Sequence, residues 1–81
     1  MNVRVLAFAR LRELLGFSES GVELPAGATV ADLWAALAPR TSELGALASS
    51  VRVAQNGVLV EASAPLHDGD EVALLPPVGG G

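Results

Sequence analysis

Thr29-Val30-Ala31-Asp32-Leu33-Trp34-Ala35-Ala36-Leu37-Ala38-Pro39 is the stretch that decides how the rest of the chain must pack. Thr29 can cap a helix, and Asp32 stands at the third helical position, where a short acid completes a capping box and suits the helix dipole. Val30, Leu33, Trp34 and Leu37 then follow the i, i+3, i+4, i+7 template of one apolar face. Pro39 ends the helix. A single amphipathic helix of this length cannot bury its apolar face alone, so it needs a sheet to lie on. Trp34, the chain's only tryptophan, is expected in the core rather than as a ligand platform.

The flanks supply that sheet. Upstream, Asn2 to Phe8 alternates as a strand, with Val3, Val5 and Ala7 on one face and Arg4, Leu6 and Phe8 on the other. Arg10 to Leu15 reads as a short helix stopped by Gly16. Glu19 to Leu24 is a second strand, paired with the first as a wide hairpin, and Pro25-Ala26-Gly27 is a turn. Downstream, Thr41 to Ser50 reads as a loop with a helical turn around Leu44 and Leu47. Val51 to Gln55 and Val58 to Val60 are strands joined by Asn56-Gly57, a strong type I′ hairpin signal. Glu61 to Leu66 connects, His67-Asp68-Gly69-Asp70 turns, and Glu71 to Leu75 is the last strand. The order predicts an α+β fold: a mixed sheet of four to five strands with one main helix on one face.

The chain then ends in Pro76-Pro77-Val78-Gly79-Gly80-Gly81. Proline has no N–H for a ladder, so the pair ends strand pairing. The expected division is a domain over residues 1–75 and a flexible tail over residues 76–81. At 3.3–3.6 Å per extended residue the tail can reach about 20 Å from the body. Glycines without side chains can enter a narrow site on another protein. The α-carboxylate of Gly81 is ionised at neutral pH and is a poor electrophile, so any chemistry on it needs prior activation, for instance as an acyl-adenylate. A disordered end or a cloning remnant is the plainer reading; a strand stop directly upstream speaks against it.

Composition narrows the function. Eighty-one residues make one domain near the lower limit for a self-sufficient core. Hydrophobic residues are 51% of the chain but aromatic ones only 4%, so leucine, valine and alanine build the interior. A net charge of −4 with no basic run disfavours nucleic acid and anionic membranes and suits a basic partner surface. No stretch approaches a membrane span, and Met1-Asn2-Val3-Arg4 leads straight into a strand pattern, so the cytoplasm is the expected compartment. There is no cysteine, hence no disulfide framework and no side-chain persulfide; if the protein handles sulfur, the backbone terminus must carry it. There is no lysine, hence no P-loop or Schiff-base lysine.

The body offers little chemistry of its own. His67 is a lone turn histidine, expected to be solvated. Asp68, Asp70 and Glu71 lack the spacing of a calcium loop and read as a surface acidic patch, with no metal expected. The second candidate is a sheet face. If Val72 and Leu74 face the helix, Ala73 and Leu75 face outward beside Leu6 and Phe8, making an apolar patch rimmed by Arg4 and Glu71 that would bind a partner. The alternative is that the segment from Thr41 to Ser50 covers this face.

Val5-Leu6-Ala7-Phe8-Ala9, Leu11-Arg12-Glu13-Leu14-Leu15-Gly16, Val53-Ala54-Gln55-Asn56-Gly57, Leu66-His67-Asp68-Gly69-Asp70-Glu71-Val72-Ala73 and the Pro76 to Gly81 ending together resemble the small ubiquitin-like β-grasp sulfur carriers, most closely those of the molybdopterin synthase small-subunit family. The departures are Leu74-Leu75, where two aromatics are common, and a glycine at position 79. The resemblance implies a β-grasp fold and a cycle at Gly81. An E1-like enzyme using ATP makes an AMP adduct, a sulfur donor such as a cysteine desulfurase converts it to a thiocarboxylate, and the tail (Pro76, Pro77, Val78, Gly79, Gly80) enters the large synthase subunit. There the sulfur passes to cyclic pyranopterin monophosphate. The resemblance implies a heterotetrameric synthase in which the body binds no cofactor and nucleotide is bound by the partner.

Other readings stay open. The chain could carry sulfur for thiamine or tRNA thiolation, act as a protein modifier, or be a non-catalytic ubiquitin-like binding module with an inert tail.

Overall fold

The computed structural model describes residues 1–40, 42–47 and 49–76. Pro77, Val78, Gly79, Gly80 and Gly81, read above as the tail, lie outside the described residues. Five strands form one mixed sheet: β1 (Asn2–Ala7), β2 (Glu19–Glu23), β3 (Arg52–Gln55), β4 (Val58–Val60) and β5 (Glu71–Leu75), in the order β2-β1-β5-β3-β4. β1 and β5 run parallel at the centre; every other pairing is antiparallel. The main helix α2 (Val30–Leu37) is accompanied by α1 (Ala9–Leu15), a 3-10 turn at Ala38–Arg40 and α3 (Ser42–Leu47).

Local chemistry explains these elements. Thr29 Oγ1 accepts from the Asp32 N–H at 3.3 Å while Asp32 Oδ2 accepts from the Thr29 N–H at 2.8 Å, so both halves of the expected capping box form. α1 ends at Gly16 with φ 83°, a left-handed cap that glycine adopts without a Cβ penalty. α1 begins at Ala9 with φ 49°, a left-handed residue that is not glycine, and this sharp turn swings the chain off β1. Phe8, expected within the first strand, is instead the extended residue at the α1 N-cap.

Val3, Val5 and Ala7 of β1, Val72 and Leu74 of β5 and Val53 of β3 meet Leu33 and Leu37 of α2 and Leu11 of α1 in one buried cluster. Trp34 packs against that cluster half-buried, as a core residue at its margin. The helical turn expected around Leu44 and Leu47 proves to be a whole short helix, and the alternative that this segment covers the outward face is set aside. The segment after Pro39 holds a six-residue helix whose Leu44 is fully buried in the same cluster. α3 therefore lies on the helix side and does not cover the outward face, because Leu44 gains more from that core than from a flat sheet surface.

Candidate functional site

The outward face is fixed by register. Residues paired across neighbouring strands share a face, so Leu6 of β1, Ala73 of β5, Ala54 of β3 and Leu59 of β4 form one apolar row across four strands. Leu75 stands opposite Arg52 in the adjacent row, and Arg4 stands opposite Glu71 on the other side. Phe8, 45% exposed, continues the alternation beyond β1, and Leu59 is 54% exposed. Leu6, Ala73 and Leu75 are half-buried by their neighbours alone.

The structure thus brings Arg4, Leu6, Ala73 and Leu75 together as the alternation predicts. It adds Ala54 and Leu59, which the sequence reading missed. The signal for them was present: Asn56-Gly57, with φ 50° and 85°, sets a two-residue hairpin and hence the β3–β4 register.

Charge rims the row. Arg4 Nη2 donates to Glu71 Oε1 at 2.6 Å and Arg4 Nε lies 3.6 Å from Glu19 Oε2. The hydrogen bond to Glu71, with the two carboxylates' field, holds the Arg4 pKa above its ordinary value. These groups are exposed, so they add little stability.

The acidic turn is not the surface patch it was expected to be. Asp70 is only 8% exposed. Its carboxylate accepts from Gln55 Nε2 at 2.6 Å, Asn56 Nδ2 at 2.9 Å and the His67 N–H at 2.8 Å. Those bonds, led by the one from Asn56, hold its pKa below the usual carboxylate value. Asn56 and Glu71 also exchange a reciprocal pair: the Asn56 N–H donates to the Glu71 carbonyl at 2.8 Å, and Asn56 Oδ1 accepts from the Glu71 N–H at 2.9 Å. Asp68 Oδ1 accepts from the Asn2 N–H at 2.7 Å. The turn therefore locks the β3–β4 tip and the start of β1 onto β5. His67 joins this lock through its main chain, while its imidazole is 74% exposed with Nδ1 3.8 Å from Asp70 Oδ2. Among the described residues no group of three potential metal ligands gathers, and no helix is long and apolar enough to cross a membrane.

β5 leads straight into the chain end. Leu75 is its last residue, Pro76 follows half-buried, and Gly81 is six residues beyond Leu75 in sequence. The outward face and the root of the tail thus belong to one strand, clamped on both sides by β1 and β3.

The model of the ThiS family matches residues 5–81. A molybdopterin synthase sulfur carrier subunit from Chlamydomonas reinhardtii is 37% identical, with both chains covered in full. A solved structure described as a putative molybdopterin converting factor, subunit 1, from Pyrococcus furiosus superposes with a TM-score of 0.85 at 36% identity, covering 96% of this chain and 99% of that one. The complex of subunits 1 and 2 of molybdopterin-converting factor from Helicobacter pylori contains a chain that matches at TM-score 0.68 and 27% identity, with both chains covered in full. A ubiquitin from Caldiarchaeum subterraneum shares the fold at TM-score 0.65 and 18% identity, covering 100% of this chain and 98% of that one.

Proposed function

The chain belongs to the ThiS family, with the ubiquitin-like β-grasp fold, and on that premise we propose that it is the sulfur-carrying small subunit of a cytoplasmic molybdopterin synthase. The observation that carries the reading is full-length likeness to sulfur carrier subunits in a chain without cysteine that ends in Gly79-Gly80-Gly81. In this reading the body presents the terminus and its partners supply the chemistry.

The proposed cycle begins with an E1-like enzyme. A Gly81 carboxylate oxygen attacks the α-phosphorus of ATP, pyrophosphate leaves, and an acyl-adenylate forms. The terminal sulfur of a persulfide on a donor such as a cysteine desulfurase displaces AMP to give an acyl disulfide. A thiol reductant cleaves the S–S bond, leaving the thiocarboxylate on Gly81 and a disulfide on the donor side. The large subunit then takes the tail, the sulfur passes to cyclic pyranopterin monophosphate, and water restores the carboxylate. Arg4, Leu6, Phe8, Ala73 and Leu75, with Ala54 and Leu59, form the docking face in this reading. The chain of the Helicobacter pylori complex, matched over its full length, supports a second subunit as the partner. Tail and face share β5, so docking aims Gly81.

Intact-mass measurement on protein isolated with its activating enzyme and sulfur donor tests this. A species heavier by the difference between sulfur and oxygen, absent when Gly81 is deleted, is the expected result. Only unmodified protein in the presence of a competent activating enzyme refutes it. Synthesis of molybdopterin on mixing the thiocarboxylate form with a large subunit separates this role from thiamine or tRNA thiolation.

A further inference from the structure

The two edges of the sheet are unlike. β2 carries Glu19 and Glu23 at its ends, charges of the kind that keep an edge from pairing. β4 reads Val58-Leu59-Val60, without a charge, and Val58 and Leu59 are 64% and 54% exposed. In a hairpin with a two-residue turn the flanking pair, here Gln55 and Val58, is hydrogen-bonded. Val58 and Val60 therefore turn their main-chain groups to β3, and the Leu59 N–H and C=O point out from the edge. Leu59 makes no main-chain hydrogen bond outside the sheet ladders among the described residues. Its side chain meanwhile ends the apolar row Leu6–Ala73–Ala54–Leu59.

On the helix side of the same edge lies a cleft of about 430 Å³, mostly apolar, whose lining includes Val30, Trp34, Val53 and Val60 together with the charged Arg52 and Glu61. The Trp34 indole Nε1 is buried there without a hydrogen-bond partner among the described residues.

We infer that β4 accepts an extended segment of the protein that covers the outer face, which adds as a sixth strand through the Leu59 N–H and C=O. This rests on the docking reading above and extends it around the edge. An added strand alternates its side chains. One set continues the Leu59 row, and the other enters the cleft beside Val60 and Trp34. The segment this fits is extended and apolar, with a free N–H and C=O opposite Leu59. β4 is short, so pairing is confined to that one residue and its flanks, which gives register rather than bulk affinity.

Hydrogen exchange of the free chain and of its complex with the large synthase subunit tests this, together with Leu59→Pro and Leu59→Ala. Both variants lose the leucine side chain; alanine keeps the outward N–H, whereas proline loses it and fixes φ, at a position where an edge strand tolerates it. Expected are a Leu59 amide that exchanges fast in the free chain and slowly in the complex, and a Leu59→Pro affinity about tenfold below that of Leu59→Ala, the worth of one interfacial hydrogen bond. A stable complex in which the Leu59 amide still exchanges fast overturns the added strand and leaves face docking standing. A wild-type chain that forms no complex refutes the docking reading and the added strand with it. The wild-type exchange decides the matter even if Leu59→Pro misfolds.

Discussion

Asp70 shows most plainly what one residue does here. Three donors converge on its carboxylate, two of them from the β3–β4 tip, so a single anion sets where β5 begins relative to that hairpin. Its pKa is lowered in the folded state, so the unfolded chain binds more protons in the interval between the two values. The stability from this group is complete above the unfolded value, about 3.9, and is lost as pH falls through the folded one. Asp70→Asn is expected to lose about 1.5–3 kcal/mol at neutral pH, the range for hydrogen bonds to a charged group. The deficit should shrink below about pH 4, where wild type loses the same anion. Denaturant unfolding across pH checks this; a constant deficit down to the most acid pH would show that the anion is not what holds the turn.

At the scale of elements, α3 and β5 divide the labour. α3 is short; its fully buried Leu44 anchors it, Leu47 packs half-buried against the same cluster, and Arg10 Nη2 donates to Glu43 Oε2 at 2.6 Å to tie it to α1. Leu44→Ala should cost about 2–5 kcal/mol through lost burial and the cavity left behind. That is a drop of at least ~10 °C in the thermal midpoint for a domain of this size. Scanning calorimetry reads it, and the folded fraction should still dock at full affinity, because α3 lies on the face opposite the row. β5 behaves the other way. Ala73 is half-buried at the centre of the row, so Ala73→Asp places a charge in the docking face and leaves the core untouched. Large-subunit affinity is expected to fall at least ~100-fold, as for a desolvated unpaired charge in an interface. The midpoint should move by no more than a few degrees. Unchanged affinity by calorimetric titration would remove the row from the interface.

For the molecule as a whole, the helix signal at Thr29–Leu37, the hairpin at Asn56-Gly57 and the alternation of β1 and β5 are local patterns, and local patterns were legible. The same alternation assigned Leu6, Ala73 and Leu75 to the outward side, since period two settles which residues of a strand share a face. Ala54 and Leu59 escaped because a row runs across strands: they pair with each other across the hairpin, but what joins them to the row is Ala73, 19 positions beyond Ala54. Asp70 escaped for a similar reason. An acid in a polar turn looks solvated until the hairpin tip, 14 and 15 positions earlier, is folded onto it. The amino-acid order by itself determined the elements and the absence of cysteine, because propensity and capping act within a few residues. Only the tertiary structure decided which sheet face stays open, which edge is left uncharged and which carboxylate is buried. Those depend on contacts between segments far apart along the chain, which no local pattern encodes.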